Sequence, residues 1–211
     1  MRAKQIFLSV AILAFVKICL ISSAAHSAQE QYRNAVLGFS LRKPADWDFV
    51  VAEDIQESLN RLDFSDPALK ALLLRYAASP FVALIKHNEP PDHLDPSIRI
   101  NVREAGSMKN MPPDKLIATY SDVMSATLSQ IFKDYRLVDG PTATAISGKP
   151  AGYFRIEYTY ELDGQTSPGT SEVWVVLSGD LLFTIGAATR RDERSGTRAE
   201  VRRIIDTIQI D

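Results

Sequence analysis

The sequence predicts an α+β fold: a mostly antiparallel sheet flanked by helices, in an α/β/α-like sandwich. Two observations predict it. Strand-like segments come in runs joined by glycine turns, not in strict alternation with helices. Two amphipathic helical stretches, a long one near the middle and a short one near the end, supply the covering layers.

The N-terminus stands apart from this domain. "MRAKQIFLSVAILAFVKICLISSAAHSAQEQ" has Arg2 and Lys4, an apolar run from Ile6 to Ile21, then small residues. That is the layout of a cleavable export signal. Ala25 and Ser27 suit the small −3 and −1 positions, which predicts a signal peptide over residues 1–27 and one domain over 28–211. Cleavage after Ala25 is the rival, and an uncleaved N-terminal membrane anchor is the alternative. Lys17 interrupts the apolar run, leaving it short of the ~20 apolar residues of a bilayer span. Export to the periplasm or the medium is therefore expected, with no stable transmembrane span after cleavage. Cys19, the only cysteine, lies in this segment and "VKIC" lacks the small residues of a lipid-attachment site. The mature chain then has no disulfide, thiolate nucleophile or cysteine metal site.

Removing residues 1–27 removes three basic residues, Arg2, Lys4 and Lys17, and no acidic one, which takes the formal charge from −2 to −5. Nucleic-acid binders are basic and locally clustered, so no nucleic-acid partner is expected. The short basic runs "TRRDER" and "VRR" read as solvated faces of a helix and the loop before it.

The domain opens with "YRNAVLG" and "FSLRKP", two short strands around a Leu37-Gly38 turn. Phe39 and Leu41 point one way and Ser40 and Arg42 the other, as a period of two requires. Pro44 lacks a ladder donor and ends the strand, and "WDFVVAE" resumes extended structure. Trp47 is expected to cover an edge of the core. A helical region follows over Asp54–Ala78, with Asp66 as cap, Pro67 in the first turn, and Leu69, Leu72, Leu73 and Tyr76 on one face. "FVALIKHN" reads as an apolar strand. In "SIRINVREA", Ile98, Ile100 and Val102 are expected inward and Arg99, Asn101 and Arg103 outward.

The longest helix is predicted over Pro113–Lys133, where Leu116, Ile117, Tyr120, Val123, Met124, Leu128, Ile131 and Phe132 recur every three or four residues. A β-meander follows: "YRLVDGPTATAI", "AGYFRIEYTYEL", "SEVWVVLSG" and "LLFTIGAATR", joined by glycine turns. A last helix over Arg194–Asp206 buries Val201, Ile204 and Ile205, and "TIQI" ends the chain.

No phosphate loop, G-x-G-x-x-G, G-x-S-x-G or H-E-x-x-H pattern occurs. One stretch, "KHNEPPDHLD", groups His87, Glu89, Asp92, His93 and Asp95, imidazoles and carboxylates of the kind that ligate divalent metals. It supports the alternative of a metal-dependent hydrolase using the His87–Asp95 loop, against the plainer reading of a proline-shaped connection. Tyr158 and Tyr160 share one strand face, a candidate aromatic surface for a ligand or partner, against the plainer reading of sheet packing. Acidic pairs elsewhere stand where helices start and read as caps. No cofactor is implied and no catalytic residue is identified.

The order of these pieces resembles the PsbP/DcrB-like family, whose fold is shared with small Ran-binding nuclear-import factors. The resemblance rests on "GFSLRKPADWDF" at the start, the long central helix, then "GKPAGYFRIEYTYE", "SEVWVVLSGDLLFTIGAAT" and the terminal "IIDTIQI". It covers the chain from about Tyr32 to Ile210. It implies a seven-stranded, roughly antiparallel sheet flanked by helices. It implies a non-enzymatic role as accessory subunit, assembly factor or envelope protein, with another envelope protein or lipid as partner, and it carries over no catalytic residue.

Overall fold

The computed structural model describes residues 30–50, 81–86, 95–130, 132–162, 165–192 and 197–211, with 160–162 and 165 described by backbone alone. The signal peptide expected over residues 1–27, the helical stretch expected over 54–78 and most of the histidine-acid stretch lie outside those residues.

Ten strands fall into two sheets among the described residues. They are β1 (Glu30–Asn34), β2 (Phe39–Lys43), β3 (Asp48–Phe49), β4 (Val82–Ile85), β5 (Ser97–Glu104), β6 (Lys133–Ile146), β7 (Lys149–Leu162), β8 (Gln165–Ser178), β9 (Leu181–Arg190) and β10 (Gln209–Ile210). Seven form the main sheet in the order β3-β4-β5-β9-β8-β7-β6, and β1-β2-β10 form a small second sheet. Every pairing is antiparallel. The helices are α1 (Pro113–Leu128) and α2 (Thr197–Ile205). The α+β class is as the sequence predicts, and the seven-stranded antiparallel sheet is as the family resemblance implies.

Both faces of the main sheet are packed. On one, Ile98, Ile100, Trp174, Val176, Phe183 and Ile185 meet the small sheet and α2 in one core, with Phe39, Leu41, Val201 and Ile204. On the other, Tyr120 of α1 hydrogen-bonds Thr184 of β9 at 3.2 Å, and Ile117 lies on Gly152 of β7. The second covering layer is therefore a helix plus a three-stranded sheet, because the opening hairpin leaves the main sheet and pairs with the chain's end.

Two-sided burial corrects the reading of β5. Arg99, expected outward, is buried, because the face opposite Ile98 and Ile100 is covered too. Burial lowers the pKa of its guanidinium to about 10, so it stays cationic at neutral pH.

The hairpin follows its sequence. Asn34 Oδ1 accepts from Leu37 N at 3.1 Å, and Gly38 takes a φ of 58° that side-chain-bearing residues rarely adopt. Phe39, Leu41 and Trp47 are buried, each contributing about 1.5–3 kcal/mol of transfer free energy. Lys43, the last strand residue before Pro44, is buried as well. Its Nζ donates to Trp47 O at 2.6 Å and pairs with Glu30 at 3.1 Å, so it holds the chain on either side of Pro44.

Three boundaries differ from expectation. Helix α1 stops at Leu128, and Lys133 already starts β6. The apolar spacing runs on because Phe132 stacks on Tyr158 at 4.4 Å. Strand β8 begins at Gln165, six residues before "SEVWVV", since polar "QTSPGT" pairs along β7 from Leu162 to Glu157. The terminal "TIQI" supplies β10, which pairs with β2 and gives the small sheet its third strand.

Gly152 fixes the height of α1, because a Cβ there would collide with Ile117. Gly152→Ala is expected to destabilise the protein by about 1–3 kcal/mol, as overpacking does. Urea unfolding with an unchanged m-value measures it; an unchanged midpoint would show that α1 is not seated on β7.

Candidate functional site

Among the described residues, ionisable and aromatic side chains gather where α2 crosses the main sheet. The period of two puts Glu172 and Trp174 of β8 on one face, and the register sets Tyr153 of β7 opposite Trp174 and Arg155 opposite Glu172. Arg198 and Arg202, four apart on α2, reach the same carboxylate.

Glu172 is 2% exposed, and burial alone would raise its pKa. Its hydrogen bonds outweigh that. Tyr153 OH donates to Oε1 at 2.8 Å, Arg198 Nε donates to Oε2 at 3.3 Å, and Arg202 Nη2 donates to Oε1. Together they hold the carboxyl below the usual glutamate range. Arg202 also donates to Tyr153 OH at 2.7 Å and lies 4.7 Å from the Tyr153 ring and 5.1 Å from the Trp174 ring, a cation–π arrangement over two aromatics. The Tyr153 hydroxyl is pushed up to about 12, first by burial and then by the Glu172 charge beside it.

A second ion cluster pins the start of α2. Lys86 Nζ meets Asp46 at 2.8 Å and Glu200 at 2.6 Å. The hydrogen bond from Lys86 lowers Asp46; burial alone would lower Lys86, but its two carboxylate partners together raise it.

These shifts share a direction. Glu172 and Asp46 go down, Tyr120, Tyr135 and Tyr153 go up, and Lys86 goes up. Each keeps its neutral-pH form more firmly, whereas an acid–base catalyst needs a pKa moved towards 7. The cluster's chemistry is that of a clamp between sheet and helix.

Sequence reasoning missed this cluster. Arg202 belongs to "VRR", read as a solvated face, yet it covers two aromatic rings. A signal was present: in "SEVWVV", Glu172 falls on the strand face that Trp174 and Val176 share. An acid on an apolar face requires cations, and α2 offers two at helical spacing.

The expected aromatic surface is corrected at Tyr158. Its side chain is fully buried under Phe132, with its hydroxyl 3.0 Å from Ser171 Oγ, because the α1 side of β7 is core. The side chain of Tyr160 lies outside the described residues, as do His87, Glu89, Asp92 and His93. Asp95 is described and is buried. Among the described residues no three His, Cys, Asp or Glu side chains are placed to hold a metal ion, and no helix is long and apolar enough to cross a membrane.

No known family model matches the chain, and no curated protein matches it in sequence. Its similarity is to solved structures. The cyanobacterial PsbP (CyanoP) of Synechocystis sp. PCC 6803 is 14% identical with a TM-score of 0.51, over 91% of this chain and 98% of that one. LpqN of Mycobacterium tuberculosis, involved in cell envelope biogenesis, is 12% identical with a TM-score of 0.47, over 88% of this chain and 86% of its own. A Bacteroides thetaiotaomicron protein is 15% identical with a TM-score of 0.45; the chain spans 48% of its length. The chain has the PsbP-like fold.

Glu172→Gln is expected to cost about 1–3 kcal/mol, because it weakens the charge-assisted hydrogen bonds from Arg198 and Arg202, whose guanidinium groups remain partly solvated. The folded pKa of Glu172 lies below its ordinary 4.5, so its contribution is present above pH 4.5 and is lost as pH falls through the folded value. Denaturant midpoints measured from pH 7 down to 3 should therefore fall less steeply in the variant. A parallel pH profile would show that Glu172 is not the linked group.

Proposed function

We propose that the protein is exported and acts without catalysis, as a binding or assembly protein of the cell envelope. The observation that carries this reading is the clamp: the most concentrated ionisable groups among the described residues are spent on one another. Their pKa shifts lead away from acid–base chemistry. The PsbP-like fold supports the same reading, through the accessory roles that the family resemblance implies. The export signal over residues 1–27 supports an extracytoplasmic address. Another envelope protein, or lipid, is the partner in this reading.

Fractionation of the native, untagged protein with an antiserum tests the address, and the intact mass tests processing. The expected result is a soluble extracytoplasmic form beginning at Ala28. A form beginning at Met1 in the membrane fraction would replace cleavage with an anchor, and a cytosolic full-length chain would sink the export reading. Elemental analysis separates the rival: stoichiometric zinc or manganese, lost on His87→Ala or His93→Ala, would favour the metal-dependent hydrolase.

A further inference from the structure

A cleft of about 280 Å³ opens beside the small sheet, away from the clamp. Arg33, Ser40 and Gln209 form a row across β1, β2 and β10, with Gln31 further back along β1 and Asp211 just past β10. The wall at Asp211 is fixed. Ile210 N donates to Ser147 Oγ at 3.0 Å, Ser178 Oγ donates to Asp211 O at 3.1 Å, and Asp211 N donates to Gly38 O at 2.8 Å. Gly38 keeps that corner open, since a Cβ there would lie 2.9 Å from Asp211 Cβ.

Asn34 Oδ1 is taken up by Leu37 N, and Gln209 Oε1 accepts from Ser147 Oγ at 3.5 Å, which leaves the Gln209 amide N–H groups; other polar groups of the lining are unspent. Among the described residues, the Gln31 amide, the Arg33 guanidinium, the Ser40 hydroxyl and the Asp211 carboxylate make no side-chain hydrogen bond, and Arg33 and Asp211 make no ion pair. A cation stands at one end, an anion at the other, and neutral donors and acceptors lie between. Two strand spacings across and two residues along separate the Arg33 and Asp211 backbones by about 12 Å. An arginine side chain is long enough to reduce that to the length of an extended dipeptide, about 7 Å. The volume is that of about nine water molecules, and the cleft is open on one side, so it suits a ligand of about nine to eleven non-hydrogen atoms.

We propose that this cleft binds a dipeptide-sized zwitterion, its carboxylate on Arg33 and its ammonium on Asp211, with the Ser40 hydroxyl and the Gln209 amide meeting the peptide group between. A uniformly anionic or uniformly cationic ligand would meet one matching and one opposing charge. A zwitterion matches both, and a planar guanidinium suits a carboxylate in particular. The cleft is open to water, so millimolar affinity is expected.

A 15N–1H NMR titration of the purified protein with alanyl-alanine tests this. Shifts should saturate and should cluster on β1, β2 and β10. N-acetyl-alanyl-alanine amide, which has neither charge, should bind about tenfold or more weakly. Arg33→Gln should weaken alanyl-alanine about tenfold, yet leave the affinity for alanyl-alanine amide unchanged, since that ligand has no carboxylate to lose. N-acetyl-alanyl-alanine, which keeps the carboxylate but has no ammonium, should bind the unsubstituted protein about tenfold more weakly than alanyl-alanine. Arg33 is exposed, and a well-dispersed spectrum shows that its variant is folded. The proposal is overturned by an absence of shifts at tens of millimolar, by equal binding of the doubly capped peptide, or by a neutral disaccharide that shifts these resonances where alanyl-alanine does not.

Discussion

The constraint on which the structure depends is that the seven-stranded sheet is buried on both faces. A sheet solvated on one side needs a single covering layer. Here β9 has eight consecutive buried residues, Leu182 to Thr189, so each face needs its own layer. Helix α1 supplies one. The other is assembled from the two ends of the domain, the β1–β2 hairpin at the start and α2 with β10 at the finish. The first and last described strands therefore share one small sheet over the main one, in which β2 lies between β1 and β10.

The clamp at Glu172 is a consequence of that arrangement. A helix laid across a sheet face fills the centre with apolar side chains, and the edge of the contact falls where strand residues turn polar. Glu172 sits on that edge. Its desolvation would be costly alone, but one tyrosine and two arginines satisfy it, and the aromatic rings beneath Arg202 use the guanidinium face as well as its N–H groups. A partly exposed arginine thus ties β7, β8 and α2 together. Lys86 does similar work at the start of the helix, joining it to the stretch after β2. On the opposite face, which holds the buried Arg99, α1 is seated by Gly152 beneath Ile117 and by the Tyr120–Thr184 hydrogen bond.

Sequence patterns located elements well where one local rule governed. Pro44 ended β2, glycine turns set off the meander strands, and Val201, Ile204 and Ile205 marked the buried side of α2. The pattern misled where a residue's partner is distant. Arg99 alternates with isoleucines as a solvent-facing residue should, but a second layer covers its face. Phe132 keeps the helical spacing, though it packs from the strand side of the break. "QTSPGT" has turn composition, and the continuing ladder of β7 draws it into a strand.

By itself, the sequence determined the fold class, the turns that separate the meander strands and the buried side of α2. Each depends on neighbours a few residues apart: periodicity, a proline or glycine at one position, or a run of apolar residues. The tertiary structure decided which strands share a sheet, that the chain's last strand closes the first hairpin, that Tyr158 is core, and that Arg198 and Arg202 meet Glu172. Those contacts join residues far apart in sequence. Whether a charged side chain is solvated, or is the only partner of a buried acid, depends on what is brought against it.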